Sequence, residues 1–191
     1  MLINYIQSKL KCFLINKGIA FDPTLFDYSI VIITRYTSCI VIALIGSYIL
    51  NTTNIFLCFI PTFYLLRIHF GGLHLNSNFA CLVFSIAMFL AIPFLIKCIY
   101  TLISISISFM LISSLVYIVF FYINCPIDHE NKRLNIKEKK YHKKRGILNT
   151  IIIMSLYIIL PYEISVSLFF AVTFEMLNCL IAKIYHNILH I

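Results

Sequence analysis

Residues 67–81, RIHFGGLHLNSNFAC, gather reactive side chains in an otherwise apolar chain. His74 and Cys81 lie seven positions apart, and Asn76, Ser77 and Asn78 can cap a helix that begins just before the cysteine. A cysteine in the first turn of such a helix meets unpaired N–H groups and the positive end of the helix dipole, which favour its thiolate. Because a nearby imidazole can accept the thiol proton, the spacing is typical of an activated cysteine nucleophile.

A metal site is the rival use of the same stretch. His69, His74 and Cys81 are three possible ligands that lie close together in the sequence. Their spacing matches no common zinc pattern, and no fourth ligand is evident beside them. We therefore expect neither a bound metal nor another cofactor.

The composition predicts an integral membrane protein. Hydrophobic residues make up 61% of the 191 residues and charged residues only 12%, with a mean hydropathy of +0.97. This is far too apolar for a soluble domain of the same length. The net charge of +8 bears on membrane topology and on anionic partners, and we do not expect nucleic acid to be among them. The seven cysteines form no CxxC pair, which argues against a disulfide framework.

The hydrophobic pattern predicts an all-α, polytopic membrane protein that forms a single domain over residues 1–191. Residues 1–21 have the spacing of an amphipathic helix lying in the membrane interface. About six transmembrane helices follow, and a basic loop occupies residues 124–146; the predicted spans are residues 28–50, 55–66, 79–96, 102–123, 147–162 and 164–184. The second span is only about 18 Å long before Arg67 interrupts it. A turn is expected at residues 97–101.

The distribution of cations predicts the orientation. With the N-terminus inside, nearly all of the fifteen Lys and Arg residues are cytosolic, Lys97 alone is outside, and Arg35 lies within a span. Both termini, the basic loop and residues 67–81 should therefore face the cytosol.

Two charged residues fall within predicted spans, where an unpaired charge is costly. Arg35 can snorkel to the surface or meet an acid. Glu175 can be protonated, pair with a cation such as Arg35, or line a polar cavity. A structural pairing and a direct role in catalysis both remain open for this carboxylate.

The motif RxHxGGxHxNSxFxC, on the flank of a hydrophobic segment in a small basic polytopic chain, resembles accessory gene regulator protein B (AgrB). This family consists of membrane-embedded cysteine peptidases that process quorum-sensing propeptides. The order of hydrophobic and polar segments resembles the family over nearly the whole chain. The family-specific motif lies at residues 67–81. It implies that Cys81 is the nucleophile, that His74 is its base, and that Arg67 and Gly72 support them.

The resemblance also implies a substrate, an AgrD-like precursor peptide with an acidic C-terminal segment. Cleavage would leave a thioester on Cys81, and an internal cysteine or serine would then close a thiolactone or lactone ring. The basic loop can serve as a topology determinant and can also capture the acidic segment through Lys139, Lys140, Lys143 and Lys144. We expect a homodimer in the bacterial cell membrane.

A different class of function remains as the alternative. In a small peptide transporter or exporter without protease activity, Arg35, Glu175 and the histidines would line a path through the membrane. The small size of the chain and the absence of an internal sequence repeat argue against it.

Overall fold

A computed structural model describes residues 2–18, 22–73, 78–127 and 134–188; the side chains of some helical residues, Arg35 and Cys81 among them, lie outside this description. Within these ranges the protein is all-helical and contains no strand, as predicted. The helices are α1 (Leu2–Asn16), α2 (Pro23–Ile49), α3 (Thr53–Phe70), α4 (Asn78–Leu102), α5 (Ile107–Asn124), α6 (Ile136–Ile159) and α7 (Tyr162–Ile188).

Four helical segments among the described residues are long and apolar enough to cross a membrane. They are Thr53–Phe70, Leu82–Leu102, Ile107–Asn124 and Tyr162–Tyr185, and Tyr36–Ile49 adds a shorter apolar stretch. Helix α6 is not one of the four because its first half is basic. The chain is therefore a multi-pass membrane protein, and the predicted number of six spans is approximate.

The chain divides into two compact units, Met1–Ile42 and Ala43–Ile191. In the first unit, α1 ends at Asn16, and Gly18, two residues further on, takes a φ of 66°. Pro23 is the first residue of α2, a position where its missing N–H costs no hydrogen bond. Lys11 of α1 forms an ion pair of 2.7 Å with Asp27 of α2.

The core of the second unit is built around α3 and α7. The ring of Phe63 on α3 lies with its centroid 5.5 Å from that of Phe174 on α7, and Phe89 of α4 meets Phe63 edge-on. Beside them, Phe70 at the end of α3 stacks on Phe121 of α5 with centroids 4.0 Å apart. This aromatic packing fixes the C-terminal end of α3, where the reactive stretch begins.

Helix α3 is longer than the sequence predicts. It continues through Arg67 to Phe70, so its 18 residues extend about 27 Å rather than the expected 18 Å. The arginine does not end the helix because a cation is favourable in the last turn, near the negative end of the dipole. Gly71 ends it instead, with a φ of 81°.

The turn predicted at residues 97–101 is wrong. Helix α4 runs to Leu102 with Pro93 inside it, and the break falls at residues 103–106. The Thr101 hydroxyl donates to the carbonyl of Lys97, and Ser106 accepts a hydrogen bond of 3.3 Å from the N–H of Phe109. Ser106 is thus the N-cap of α5, and the helix boundary lies at this cap.

The prediction of a basic loop over residues 124–146 is wrong for residues 136–146, which form the first turns of α6. Asn135 accepts a hydrogen bond of 2.9 Å from the N–H of Glu138, and the Glu138 carboxylate accepts one of 2.9 Å from the N–H of Asn135. This reciprocal capping box starts the helix. Gly146 lies inside α6, buried against the ring of Phe70.

Candidate functional site

The two predicted catalytic residues lie at the edge of the described structure. Helix α4 begins at Asn78, so Cys81 is its fourth residue and belongs to its first turn, as the capping pattern predicts. The Cys81 side chain and residues 74–77, including His74, lie outside the described residues. What the structure describes is the backbone that leads up to His74.

Side chains from two helices bind the backbone of Leu73, the residue before His74. The guanidinium of Arg67, on α3, donates a hydrogen bond of 2.6 Å from Nη2 to the Leu73 carbonyl. Asn178, on α7, accepts one of 3.2 Å at Oδ1 from the Leu73 N–H. Both polar groups of this residue are therefore satisfied by side chains, which fix its position.

Glu175 is fully buried and is linked to this peptide through Asn178. Its Oε2 accepts a hydrogen bond of 3.3 Å from Asn178 Nδ2, and its Oε1 accepts one of 3.5 Å from the Cys179 thiol. The Arg67 guanidinium acts electrostatically on the same carboxylate. Among the described residues, the nearby cation is thus Arg67; the side chain of Arg35, the partner considered from the sequence, is not described.

Gly72 allows the two binding side chains to approach closely. It is buried and takes a φ of 143°, a conformation that residues with a side chain rarely adopt. A Cβ at this position would overlap Nδ2 of Asn178 and lie 2.8 Å from Nη1 of Arg67. The neighbouring Gly71 also leaves no room for a side chain, since a Cβ there would lie 2.7 Å from the carbonyl oxygen of Ile127.

Sequence reasoning missed Asn178 and part of the environment of Cys179. Cys179 is buried, and its thiol contacts Glu175 and, at 4.0 Å, the Gly71 carbonyl. The available signal was the spacing of Glu175, Asn178 and Cys179. Residues at i, i+3 and i+4 share one face of a helix.

The four lysines predicted to bind substrate differ in their surroundings. Lys140 and Lys144 are exposed and share one face of α6 with Lys137. Lys143 is half-buried; its Nζ donates a hydrogen bond of 2.8 Å to the Tyr122 carbonyl and lies 5.2 Å from the centroid of the Tyr122 ring. Lys139 is also half-buried. Only part of the predicted set is therefore presented to solvent.

The rival metal site is not tested by the structure. Across the described ranges, no group of three His, Cys, Asp or Glu side chains gathers closely enough to hold a metal ion. His69 faces His142 of α6, with the two Nδ1 atoms 3.3 Å apart. The other two candidate ligands, His74 and Cys81, have side chains outside the description.

These features define a multi-pass helical membrane protein in which a buried acid, an amide and a guanidinium brace the backbone at the end of one helix. The chain belongs to the AgrB family, because the model of that family, accessory gene regulator B, matches residues 1–182. No curated protein and no solved structure matches the chain. Membership of the family indicates a role in the processing of quorum-sensing peptides.

Proposed function

We propose that this protein is a membrane-embedded cysteine endopeptidase that cleaves an AgrD-like propeptide and promotes its cyclisation. Family membership supports a peptide-processing role over the transporter alternative. The observation that carries the assignment of the site is the binding of both polar groups of Leu73, by Arg67 and Asn178, next to His74. A fixed backbone here suits a general base, which must lie within hydrogen-bonding reach of the proton that it accepts.

In the proposed reaction, His74 accepts the thiol proton of Cys81, and the thiolate attacks a peptide carbonyl of the precursor. The carbon–nitrogen bond then breaks, and His74 returns the proton to the departing amine. The C-terminal fragment leaves, and the N-terminal part remains on Cys81 as a thioester. Because α4 begins at Asn78, unpaired N–H groups and the helix dipole near Cys81 favour the thiolate.

Ring closure follows when an internal cysteine or serine of the peptide attacks the thioester. A new thioester or ester forms within the peptide, and the Cys81 thiol is released. A poorly hydrated site favours this step over hydrolysis, since it holds the internal nucleophile close and limits access of water. Formation of a thioester from an amide is unfavourable, so release of the C-terminal fragment must draw the reaction forward.

We propose that the exposed face of α6 captures the acidic C-terminal segment of the precursor. Lys137, Lys140 and Lys144 lie on that face, where an extended acidic peptide can meet them in sequence. In this proposal both termini, residues 67–81 and the basic half of α6 face the cytosol, in keeping with the distribution of cations. The homodimer stays a prediction.

The test is cleavage of a purified precursor by the protein in liposomes. Cys81→Ala should abolish cleavage and the hydroxylamine-sensitive thioester, while the amount of folded protein is unchanged. The matched controls are Cys12→Ala and Cys98→Ala, both free cysteines outside the site, and these should process the precursor at the parent rate. Cleavage by the Cys81→Ala variant would disprove the assignment of the nucleophile.

A further inference from the structure

Asn178 is the residue that links the buried acid to the reactive stretch. Its Oδ1 accepts from the N–H of Leu73, and its Nδ2 donates to Oε2 of Glu175. A side-chain amide is uncharged and can accept on one side and donate on the other, with a fixed separation between the two atoms. Asn178 thus connects α7 to a peptide 105 positions earlier in the chain.

The Nδ2 end of the Asn178 amide also has a buried partner, the carboxylate of Glu175. Glu175 is fully buried, and its other oxygen is occupied by the Cys179 thiol, so the carboxylate has little freedom to turn. The side chain of Asn178 is therefore oriented by Glu175, and Leu73 is oriented by Asn178. Arg67 donates a hydrogen bond to the carbonyl of Leu73, the polar group that Asn178 does not bind.

From this arrangement we infer that Asn178, oriented by Glu175, is a positioning residue for the peptide bond that leads into His74. The inference rests on the proposed function, in which His74 is the base. Asn178 touches neither substrate nor reacting atoms in this proposal, and it acts through Leu73. A small displacement of a catalytic group is enough to slow the chemical step by about a hundredfold.

The cluster allows a test by exchange of its two polar groups. In Asn178→Asp, the Leu73 N–H keeps its acceptor, but a carboxylate oxygen replaces the donor to Glu175 and faces a second carboxylate. Adding Glu175→Gln restores the hydrogen bond between the side chains at positions 175 and 178, with donor and acceptor exchanged. The new glutamine amide donates to the carboxylate introduced at position 178, its oxygen still accepts from Cys179, and the total charge and the lengths of both side chains are unchanged.

We expect Asn178→Ala and Asn178→Asp to lower kcat for precursor cleavage by about tenfold to a hundredfold, with KM changed by less than about twofold. The exchange variant, Asn178→Asp with Glu175→Gln, should recover most of the lost kcat. Rates are expressed per folded molecule, measured from the monodisperse fraction in detergent. The control is Asn54→Ala, which removes an asparagine at the opposite end of α3 from Arg67 and should match the parent.

A second readout follows the thiol directly. The rate at which iodoacetamide alkylates Cys81, measured across pH by mass spectrometry, should fall near neutral pH in Asn178→Ala and approach the profile of His74→Ala. A merely structural role would reduce the yield of folded protein and leave this profile unchanged. The reagent is small and carries no recognition segment, so the measurement is independent of substrate capture.

The outcomes separate the two proposals. If Cys81→Ala is inactive and Asn178→Ala keeps the kcat and the alkylation profile of the parent, the positioning inference is wrong and the proposed function stands. The inference is equally wrong if the exchange variant is no faster than Asn178→Asp. If Cys81→Ala still cleaves, the proposed function fails and the inference fails with it.

Discussion

Replacing Gly72 with alanine tests the packing of the whole cluster. The backbone there has a φ of 143°, and strain of this kind costs about 1–3 kcal/mol for a residue with a side chain. The new methyl group would overlap the Asn178 amide and crowd the Arg67 guanidinium. Loss of one of their hydrogen bonds to Leu73 adds about 1–3 kcal/mol. Together the substitution should lower the free energy of unfolding by about 2–6 kcal/mol.

The measurement is the midpoint of thermal unfolding in detergent, followed with a thiol-reactive dye that reports exposure of the buried cysteines. A loss of this size should lower the midpoint by the order of 10 °C in a chain of this length. The matched control is Gly18→Ala. Gly18 also has a positive φ, 66°, but among the described residues no atom lies within 4 Å of a Cβ built there. That variant carries only backbone strain, about 1–2 kcal/mol.

A double variant isolates the steric part of the effect. In Asn178→Ala, the amide that the new Cβ would overlap is absent, so Gly72→Ala should cost less in that background than in the parent. Equal costs in the two backgrounds, or a midpoint for Gly72→Ala as high as that for Gly18→Ala, would refute the reasoning. Precursor cleavage by Gly72→Ala should fall together with its stability.

Two further predictions concern the basic half of α6 and the orientation of the chain. Lys140→Gln combined with Lys144→Gln should raise KM for the precursor more than it lowers kcat, because both cations are exposed. The same variant should weaken the salt dependence of cleavage. An equal effect on a precursor with a neutralised acidic tail would contradict capture by this face. Reporter fusions after Asn135 and at Ile191 should both indicate the cytosol, and opposite answers would contradict the proposed orientation.

Much of the fold could be predicted because the relevant signals are local. A high content of apolar residues is enough to predict a membrane protein, and in a membrane the backbone must satisfy its hydrogen bonds within each segment, which makes helices the expected element. Gly18, Pro23 and Pro161 lie at or near helix boundaries in the structure, and glycine and proline are local signals of such boundaries. The start of α6 also has a local sequence signal, since Asn135 and Glu138 have the spacing of a capping box.

The sequence by itself determined the family, through the motif at residues 67–81, and the position of Cys81 in the first turn of a helix. It did not determine the partners of that motif. Apolar helices offer few distinguishing features along their faces, so spacing alone does not reveal which two faces meet. Only the tertiary structure brings Asn178 to Leu73 and Arg67 near Glu175, because the packing of α3 against α7 decides these contacts between residues far apart in the chain.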